Sequence, residues 1–411
     1  MTTKHKDLKT LTKMLEDIAN NAEPAEEKVK VSEIVEKEGK KGSRLTELGE
    51  DLASRAAVAL NKLPIDIPFR TADAISVETP VDKSDDSDGS EEPPEDPLDV
   101  LKQAIRQGIR LEFATVPPYL IALWSIIDQT GPVAKSIRAI AHEEMLHVAI
   151  LCNFLSALGE RPNLTGDMVP QYPSRLPAGV HPKLEVELLA YGQDALKTFL
   201  TIERPEVAVE IVGEPADTFP SEDKTIGRFY AALLKAFETV QPDLDPSHQV
   251  AGPFSWLVLT KADDVREAIN LITSQGEGAS GVPFNRDPRF LSHYYRFKSM
   301  VLAVELIWDE KLKKLTRGKP LQQPSVFTLA AASPTGYGLA VPKQLREANE
   351  KFVASFSSML RLLEESWKDG GHKSFVAALE HMFELTELAQ TMMRISRPDG
   401  KGYCPAFVYR P

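Results

Sequence analysis

Three glutamates stand on the apolar faces of predicted helices, and this placement of charge limits what the chain can fold into. Glu112 shares a helix face with Leu101 and Ile105, and the helix faces that carry Glu144 and Glu203 are also apolar. An ionised carboxylate that is buried without a partner is strongly unfavourable. A divalent cation that accepts the negative charge removes this cost. The pattern therefore predicts a metal centre enclosed by helices.

Glu144 and His147 form a Glu-x-x-His unit, whose spacing puts both side chains on one helix face. Di-iron bundles are built from such units, with carboxylates that bridge the metals and imidazoles that bind them. A lone unit is weak evidence. Here the preceding helix adds Glu112, the following helix adds Glu203 and a later helix adds His293. Contributions from four helices predict a four-helix bundle around two iron ions, and an oxygen-rich site of this kind also accepts manganese.

The fourth helix departs from the usual pattern, which would carry a second Glu-x-x-His unit. Phe290, which is not a carboxylate, stands three residues before His293. The nearest carboxylate is that of Glu277, in the segment QGEGASG, across a break that is rich in glycine and proline. A broken helix could present both Glu277 and His293 to one site. The alternative is that Glu277 is a solvated turn residue, since loops normally carry polar side chains.

The segment HEEMLH does not have the spacing of a zinc-protease motif. His142 and His147 are five residues apart, which is about 140° around a helix, whereas the protease motif needs a spacing of four. We expect His142 to be exposed or to lie behind the ligands. No catalytic residue can be assigned from the sequence, although Tyr119 and Tyr294 flank the predicted ligands and are candidates for substrate contact. Core packing is the alternative for both tyrosines.

Composition divides the chain into four parts and indicates an all-α protein. Residues 1–73 carry short amphipathic runs that predict a helical N-terminal extension. Residues 74–97 are acidic and rich in serine, glycine and proline, which predicts a disordered linker. The metal-binding bundle is predicted over residues 98–314. Residues 315–411 begin with a proline-containing connection and continue as a helical hairpin, predicted to pack on the bundle.

The overall composition excludes several classes of function. The formal net charge is −12 and no basic stripe is evident, which argues against nucleic acid as a partner. No window of about 18 uncharged apolar residues is present, so no transmembrane helix is predicted. The first residues lack the apolar segment of a secretory signal. The chain has two cysteines, too few for a disulfide framework, and we expect a reducing, cytoplasmic location.

Residues 98 to about 305 resemble the ferritin-like domain of the iminophenyl-pyruvate dimer synthase family, which is related to the dimerising enzymes of the violacein and rebeccamycin pathways. The matching stretches are AIRQGIRLEFATVPPYLIALWSI, IRAIAHEEMLHVAILCNFLSALGERP, TFLTIERPE, SQGEG and SHYYRF. The resemblance implies a ferritin-like four-helix bundle whose metal ligands are Glu112, Glu144, His147, Glu203, Glu277 and His293. It also implies the named activity of the family, the oxidative coupling of two imines of aromatic 2-oxo acids.

These observations lead to one main hypothesis and two alternatives. The main hypothesis is a di-iron oxidoreductase whose partners are O₂ and a small organic substrate, with oxidative coupling, desaturation and oxygenation all compatible. The first alternative is an iron-handling protein, although storage needs a closed shell of many short subunits, which the linker and the hairpin do not suit. The second is a metal-binding scaffold without turnover. A homo-oligomer is compatible with each.

Overall fold

The computed structural model describes residues 96–217, 219, 224–250, 258–278, 281–284, 289–333, 337, 341–369 and 372–411. The chain separates into two compact units, one formed by Met1–Asp96 with Gly252–Trp256 and the other by Pro97–Ala251 with Leu257–Pro411. The predicted N-terminal extension and almost all of the predicted linker lie outside the described residues. All the described helices and strands belong to the second unit.

Eight α-helices dominate the described residues. They are α1 (Pro97–Ser125), α2 (Pro132–Ala157), α3 (Gln193–Ile202), α4 (Ile226–Val240), α5 (Ala262–Gly276), α6 (His293–Leu302), α7 (Lys343–Asp369) and α8 (His372–Arg394). None of the helices in these ranges is both long and apolar enough to cross a membrane.

The long helices α1 and α2 form the centre of the bundle. Residues 126–131 connect them, and α2 packs along α1 over most of its length. α1 continues as one helix through Pro117 and Pro118 instead of restarting at them. Both prolines are buried, so tertiary packing on this part of α1 outweighs the loss of their backbone N–H donors.

Four further helices, α3 to α6, pack around this pair. α4 and α3 contact α1, while α5 and α6 contact α2 and each other. The break predicted in the fourth helix is present, because α5 ends at Gly276 and α6 begins at His293. α3 begins at Gln193, after a short strand formed by residues 185–186.

The hairpin of α7 and α8 is present as predicted, and its two helices pack against each other. α7 contacts α2 and α8 contacts α1. A buried polar contact reinforces this packing, because the Trp367 indole donates a hydrogen bond of 2.8 Å to Oδ1 of Asn153 on α2. The same amide also binds the backbone N–H and C=O of Val250, at 2.8 and 3.0 Å. Asn153 thus joins three separate parts of the chain.

Two small antiparallel sheets accompany the helices, and the sequence did not predict them. β1 (Ser174–Arg175) pairs with β2 (Glu185–Val186), and β3 (Val304–Asp309) pairs with β4 (Lys314–Pro320). The proline-containing connection predicted at the start of residues 315–411 therefore contains most of β4. In β3 the exposed Glu305 and Ile307 alternate with the buried Leu306 and Trp308, which is the pattern of a half-buried strand.

Replacing Asn153 with alanine is expected to destabilise the fold, because the Trp367 indole and the backbone groups of Val250 would lose a buried hydrogen-bonding partner. We expect the free energy of unfolding to fall by about 2–4 kcal/mol, measured by urea denaturation. Asn270→Ala, at an exposed position of α5, is the control and should change the free energy by at most about 0.5 kcal/mol. Similar values for the two variants would contradict the role given to Asn153.

Candidate metal centre

The structure brings five of the six predicted ligands together inside the bundle. Glu112 lies on α1, Glu144 and His147 lie on α2, Glu203 directly follows α3, and His293 is the first residue of α6. All five side chains are at most 3% exposed. The helix faces that the sequence predicted to be buried therefore converge on one enclosed point.

The five side chains form two overlapping groups that share Glu144. In the first group, Nδ1 of His147 is 3.1 Å from Oε2 of Glu112 and 3.9 Å from Oε1 of Glu144. In the second, Nδ1 of His293 is 2.8 Å from Oε1 of Glu144 and 3.4 Å from Oε2 of Glu203. The potential ligand atoms of each group lie within 4.8 Å of one another. Each group therefore offers two carboxylates and one imidazole to a single cation.

The contacts of His293 show that this arrangement fits a metal ion. Its Nδ1 is buried and close to two carboxylates, yet it forms no hydrogen bond with either of them. A nitrogen that faces two carboxylate oxygens in this way suits a cation placed between the three atoms. Carboxylate oxygen and imidazole nitrogen are ligands that iron and manganese accept. The buried groups could thus hold a metal.

Glu277, the sixth predicted ligand, belongs to neither group. Its Oε1 accepts a hydrogen bond of 2.6 Å from the backbone N–H of Gly227 in the first turn of α4, where the helix dipole favours negative charge. A Cβ at Gly227 would lie 2.5 Å from Oε2 of Glu277, so only glycine leaves room for this contact. Burial raises the pKa of Glu277 to about 8, against the lowering effect of the Gly227 hydrogen bond. Glu203 lies close to Gly276, the residue before Glu277, because a Cβ built on Gly276 would lie 3.1 Å from Oε2 of Glu203.

Three hydroxyl groups bind the clustered carboxylates, and of these only that of Tyr119 belongs to a residue that the sequence placed near the site. Tyr230 on α4 donates a hydrogen bond to Glu112. Tyr119 donates to Oε1 of Glu203 at 2.5 Å, and Thr115 donates to Oε2 of Glu144 at 2.7 Å. Each carboxylate therefore has one oxygen fixed by a hydroxyl from a neighbouring element. Each hydroxyl lies on a different element from the carboxylate that it binds, so periodicity within one helix gives no sign of the pairings.

The Nε2 atoms of the two imidazoles contact different groups. Nε2 of His147 is 2.8 Å from Oε1 of Gln275 on α5. Nε2 of His293 is 2.7 Å from Oε2 of Glu143 on α2, and Arg296 on α6 forms an ion pair with the same carboxylate. Each imidazole thus directs Nδ1 towards the clustered carboxylates of the two ligand groups and Nε2 away from them. Glu143 directly precedes Glu144 in the chain, but only the packing of α6 against α2 shows that it contacts His293.

The two candidate tyrosines occupy different environments. Tyr119 contacts Glu203, one of the clustered carboxylates. Tyr294 instead donates a hydrogen bond of 2.9 Å to Asp217, which also pairs with Lys298. His142 is half-buried and belongs to neither group. Of the residues predicted near the metal, Tyr119 is therefore brought to the ligands and Tyr294 is not.

Electrostatic competition within the cluster shifts the pKa values of its members. Burial and the charges of Glu203 and Glu112 raise the pKa of Glu144. Burial would also raise the pKa of Glu112, but its contacts with His147 lower it overall. Burial would lower the pKa of His147 and of His293, yet the adjacent carboxylates raise both. Protons are thus drawn onto the imidazoles by an excess of buried negative charge, which divalent cations would neutralise.

Comparison with known proteins agrees with this architecture. A family model described as Ferritin-like matches residues 105–302, which run from α1 to the end of α6. A solved structure of a ferritin-like protein from Caulobacter vibrioides matches with a TM-score of 0.55 at 22% identity, covering 77% of this chain and 100% of that one. The fold is ferritin-like. At this level of identity the structural match concerns the fold alone.

One curated relative is a dichlorochromopyrrolate synthase from Lentzea aerocolonigenes. It is 25% identical over 362 aligned residues, which cover 72% of this chain and 33% of the relative. The chain thus spans about a third of the length of that protein. The ferritin-like fold predicted from the sequence is confirmed, whereas the assignment to the iminophenyl-pyruvate dimer synthase family stays a prediction.

Tyr230→Phe is expected to weaken the binding of divalent metal, because Glu112 would lose the hydroxyl that orients it. Loss of such a supporting hydrogen bond typically costs about 10–100-fold in metal affinity, which competition with a fluorescent chelator measures for Mn²⁺. Tyr172→Phe is the matched control, since Tyr172 is also buried but donates to the backbone oxygen of Ala114. An equal loss of affinity in both variants would show that the effect is not specific to the Glu112 contact.

Proposed function

We propose that this ferritin-like protein is a non-haem di-iron oxidoreductase that uses O₂ to oxidise a small organic substrate. The observation that carries the proposal is the position of Glu144, which is shared by two groups that each contain a further glutamate and a histidine. A carboxylate shared by two ligand sets is the arrangement by which ferritin-like bundles hold a pair of metal ions.

In this proposal Glu112 and His147 would hold one iron, Glu203 and His293 would hold the other, and Glu144 would contribute to both positions. Glu277 is the proposed sixth ligand, supported by its place at the end of α5 beside Glu203. Two ferrous ions, when bound, supply the electrons that reduce O₂ and so allow a substrate to be oxidised. Manganese would fit the same set of ligands.

The residues around the ligands keep the centre oriented and dry. The ring of Tyr119 packs against those of Phe199 and Phe297, with centroids 4.7 and 5.2 Å away, and all three rings are buried. Hydrogen bonds from hydroxyl groups orient the buried carboxylates. A site held in this way excludes solvent from the reaction and keeps its ligands close to the geometry that binding needs.

Burial of the centre favours a small substrate. The clustered side chains are at most 3% exposed, whereas Gln275 and Glu277 beside them are only partly buried. A small molecule would approach along this end of α5. The curated relative is named as a synthase, and the sequence resemblance implies imines of aromatic 2-oxo acids. Oxidative coupling of two such imines is the specific reaction that we propose.

The number of metal ions bound by single variants tests how the ligands are shared. We expect about two divalent ions per wild-type chain, about one in His147→Ala and in His293→Ala, and almost none in Glu144→Ala, because Glu144 serves both positions. Elemental analysis of the full-length protein, purified after loading with Fe²⁺ under anaerobic conditions, measures this ratio.

His142→Ala is the control for the metal count, because His142 lies on α2 close to Glu144 but belongs to neither group. It should keep both ions. If Glu144→Ala still bound two ions, or if loss of His142 reduced the count as much as loss of His147, the proposed centre would be wrong.

Consumption of O₂ tests the reaction itself. Fe²⁺-loaded protein should consume O₂ and form an organic product when it is given imines made from aromatic 2-oxo acids and ammonia. Glu144→Ala should lose at least about 100-fold in rate, since the substitution removes a ligand of both ions. An oxygen electrode and mass spectrometry of the products give the two measurements.

The same experiment separates oxidation of a substrate from iron handling. The proposal requires that each turnover forms product while the iron content stays at about two per chain. Rapid oxidation of many Fe²⁺ ions per chain, with no dependence on an organic substrate and no product, would assign the protein to iron handling instead.

A further inference from the structure

We infer that the two metal positions differ in affinity, and that the position formed by Glu144, Glu203 and His293 binds its ion first and more tightly. This inference rests on the proposed function, because it concerns the same centre. It names Glu143 and Gln275 as the positioning residues that make the two positions unequal.

Most of the described contacts of the two ligand groups match closely. Each group contains one histidine and one glutamate of its own, together with the shared Glu144. The unshared glutamates are also supported alike, since Glu112 accepts a hydrogen bond from Tyr230 and Glu203 accepts one from Tyr119. Among the five clustered side chains, neither the number of ligands in each group nor the support of the glutamates by tyrosine distinguishes the two positions.

The imidazoles also have the same orientation. In both histidines Nδ1 is the nitrogen that faces the carboxylates, at 3.1 Å from Glu112 for His147 and at 2.8 Å from Glu144 for His293. In both, Nε2 faces a side-chain oxygen that can only accept a hydrogen bond. Nε2 therefore carries a proton in each ring, and Nδ1 is left to bind a metal.

The two positions differ in the charge of the group that accepts a hydrogen bond from Nε2 of each imidazole. The oxygen that accepts from His147 belongs to the neutral amide of Gln275, 2.8 Å away. The oxygen that accepts from His293 belongs to the carboxylate of Glu143, 2.7 Å away. Hydrogen bonds to an ionised acceptor are roughly twice as strong as those between neutral groups. A carboxylate also raises the basicity of the imidazole more than an amide does, which strengthens its bond to a metal.

Arg296 moderates this effect without removing it. It pairs with the same oxygen of Glu143 that accepts from His293, so it fixes the carboxylate and offsets part of its charge. The oxygen itself stays in direct contact with the ring, 2.7 Å from Nε2 of His293. The His293 ring therefore remains the stronger donor of the two.

The expected difference in metal affinity follows from the size of the contribution that such hydrogen-bonding partners usually make. Groups that hold a metal-binding histidine typically change metal affinity by about 10–100-fold when they are substituted. We therefore expect the two positions to differ by at least about 10-fold in affinity. A protein given one equivalent of metal should hold it mainly at the His293 position, and the second ion should enter beside His147.

Titration of the full-length protein with Mn²⁺ tests the order of binding. Calorimetry of the wild-type protein should resolve two events of unequal affinity. Electron paramagnetic resonance should show isolated Mn²⁺ at one equivalent and magnetically coupled pairs only as the second equivalent is added. His147→Ala should retain the tighter event, and His293→Ala should retain only the weaker one.

Two reciprocal substitutions test the cause. Glu143→Gln, which keeps a hydrogen-bond acceptor but removes its charge, should weaken the tighter event by about 10-fold and bring the two affinities together. Gln275→Glu, which adds a charge behind His147, should strengthen the weaker event by a similar factor. Gln275→Glu leaves the Glu143–Arg296 pair intact, so it remains informative if Glu143→Gln does not fold.

Several results would overturn the inference while leaving the proposed function in place. These are equal affinities in the wild-type protein, retention of the tighter event in His293→Ala, or no change of affinity in Gln275→Glu, in each case with a wild-type protein that binds two ions and shows metal-dependent consumption of O₂. If the wild-type protein bound no Mn²⁺ or Fe²⁺ at all, the proposed function would fail as well.

Discussion

The enclosure of three carboxylates and two imidazoles in one apolar bundle is the interaction on which the rest of the structure depends. Glu112, Glu144 and Glu203 repel one another when ionised, and burial removes the water that would screen them. Contacts with His147 and His293 offset part of this cost, and hydroxyl groups bind one oxygen of each carboxylate. What remains is an excess of negative charge that suits divalent cations. These buried charges can bind metal ions together only if separate helices hold the groups within a few ångströms of each other.

Periodicity predicted this convergence because it depends on which face of a helix a residue occupies. The faces of Glu112, of Glu144 and of His147 are set by spacing along one helix, and their burial follows from the apolar residues that share those faces. The groups that hold the ligands could not be found in the same way. Gln275 reaches His147 from another helix, and Glu143 reaches His293 across a helix contact. Such pairings depend on how helices pack, which a single sequence does not specify. The position of Glu277 beside the start of α4 also depends on how the helices pack.

Errors in the predicted elements also arose where tertiary packing decides local structure. β3 follows α6 almost directly, because α6 ends at Leu302 and β3 begins at Val304. Leu306 and Trp308 of β3 pack with Leu315 and with the tyrosines at the start of α6, so the hairpin is stabilised by contacts that are distant in the sequence. A strand of six residues is too short for periodicity to separate it from the end of a helix. The hairpin lies against the helix that carries His293.

The C-terminal hairpin of helices has a comparable role for the other ligands. α8 packs on α1, which carries Glu112, and α7 packs on α2, which carries Glu144 and His147. The hydrogen bond from Trp367 to Asn153 fixes α2 beyond His147, on the same helix. Metal ligands must be held to within about 0.5 Å of a productive geometry, and elements packed on both sides hold them better than loops do. The helices outside the four-helix bundle therefore contribute to the site without touching it, because they determine where α1 and α2 lie.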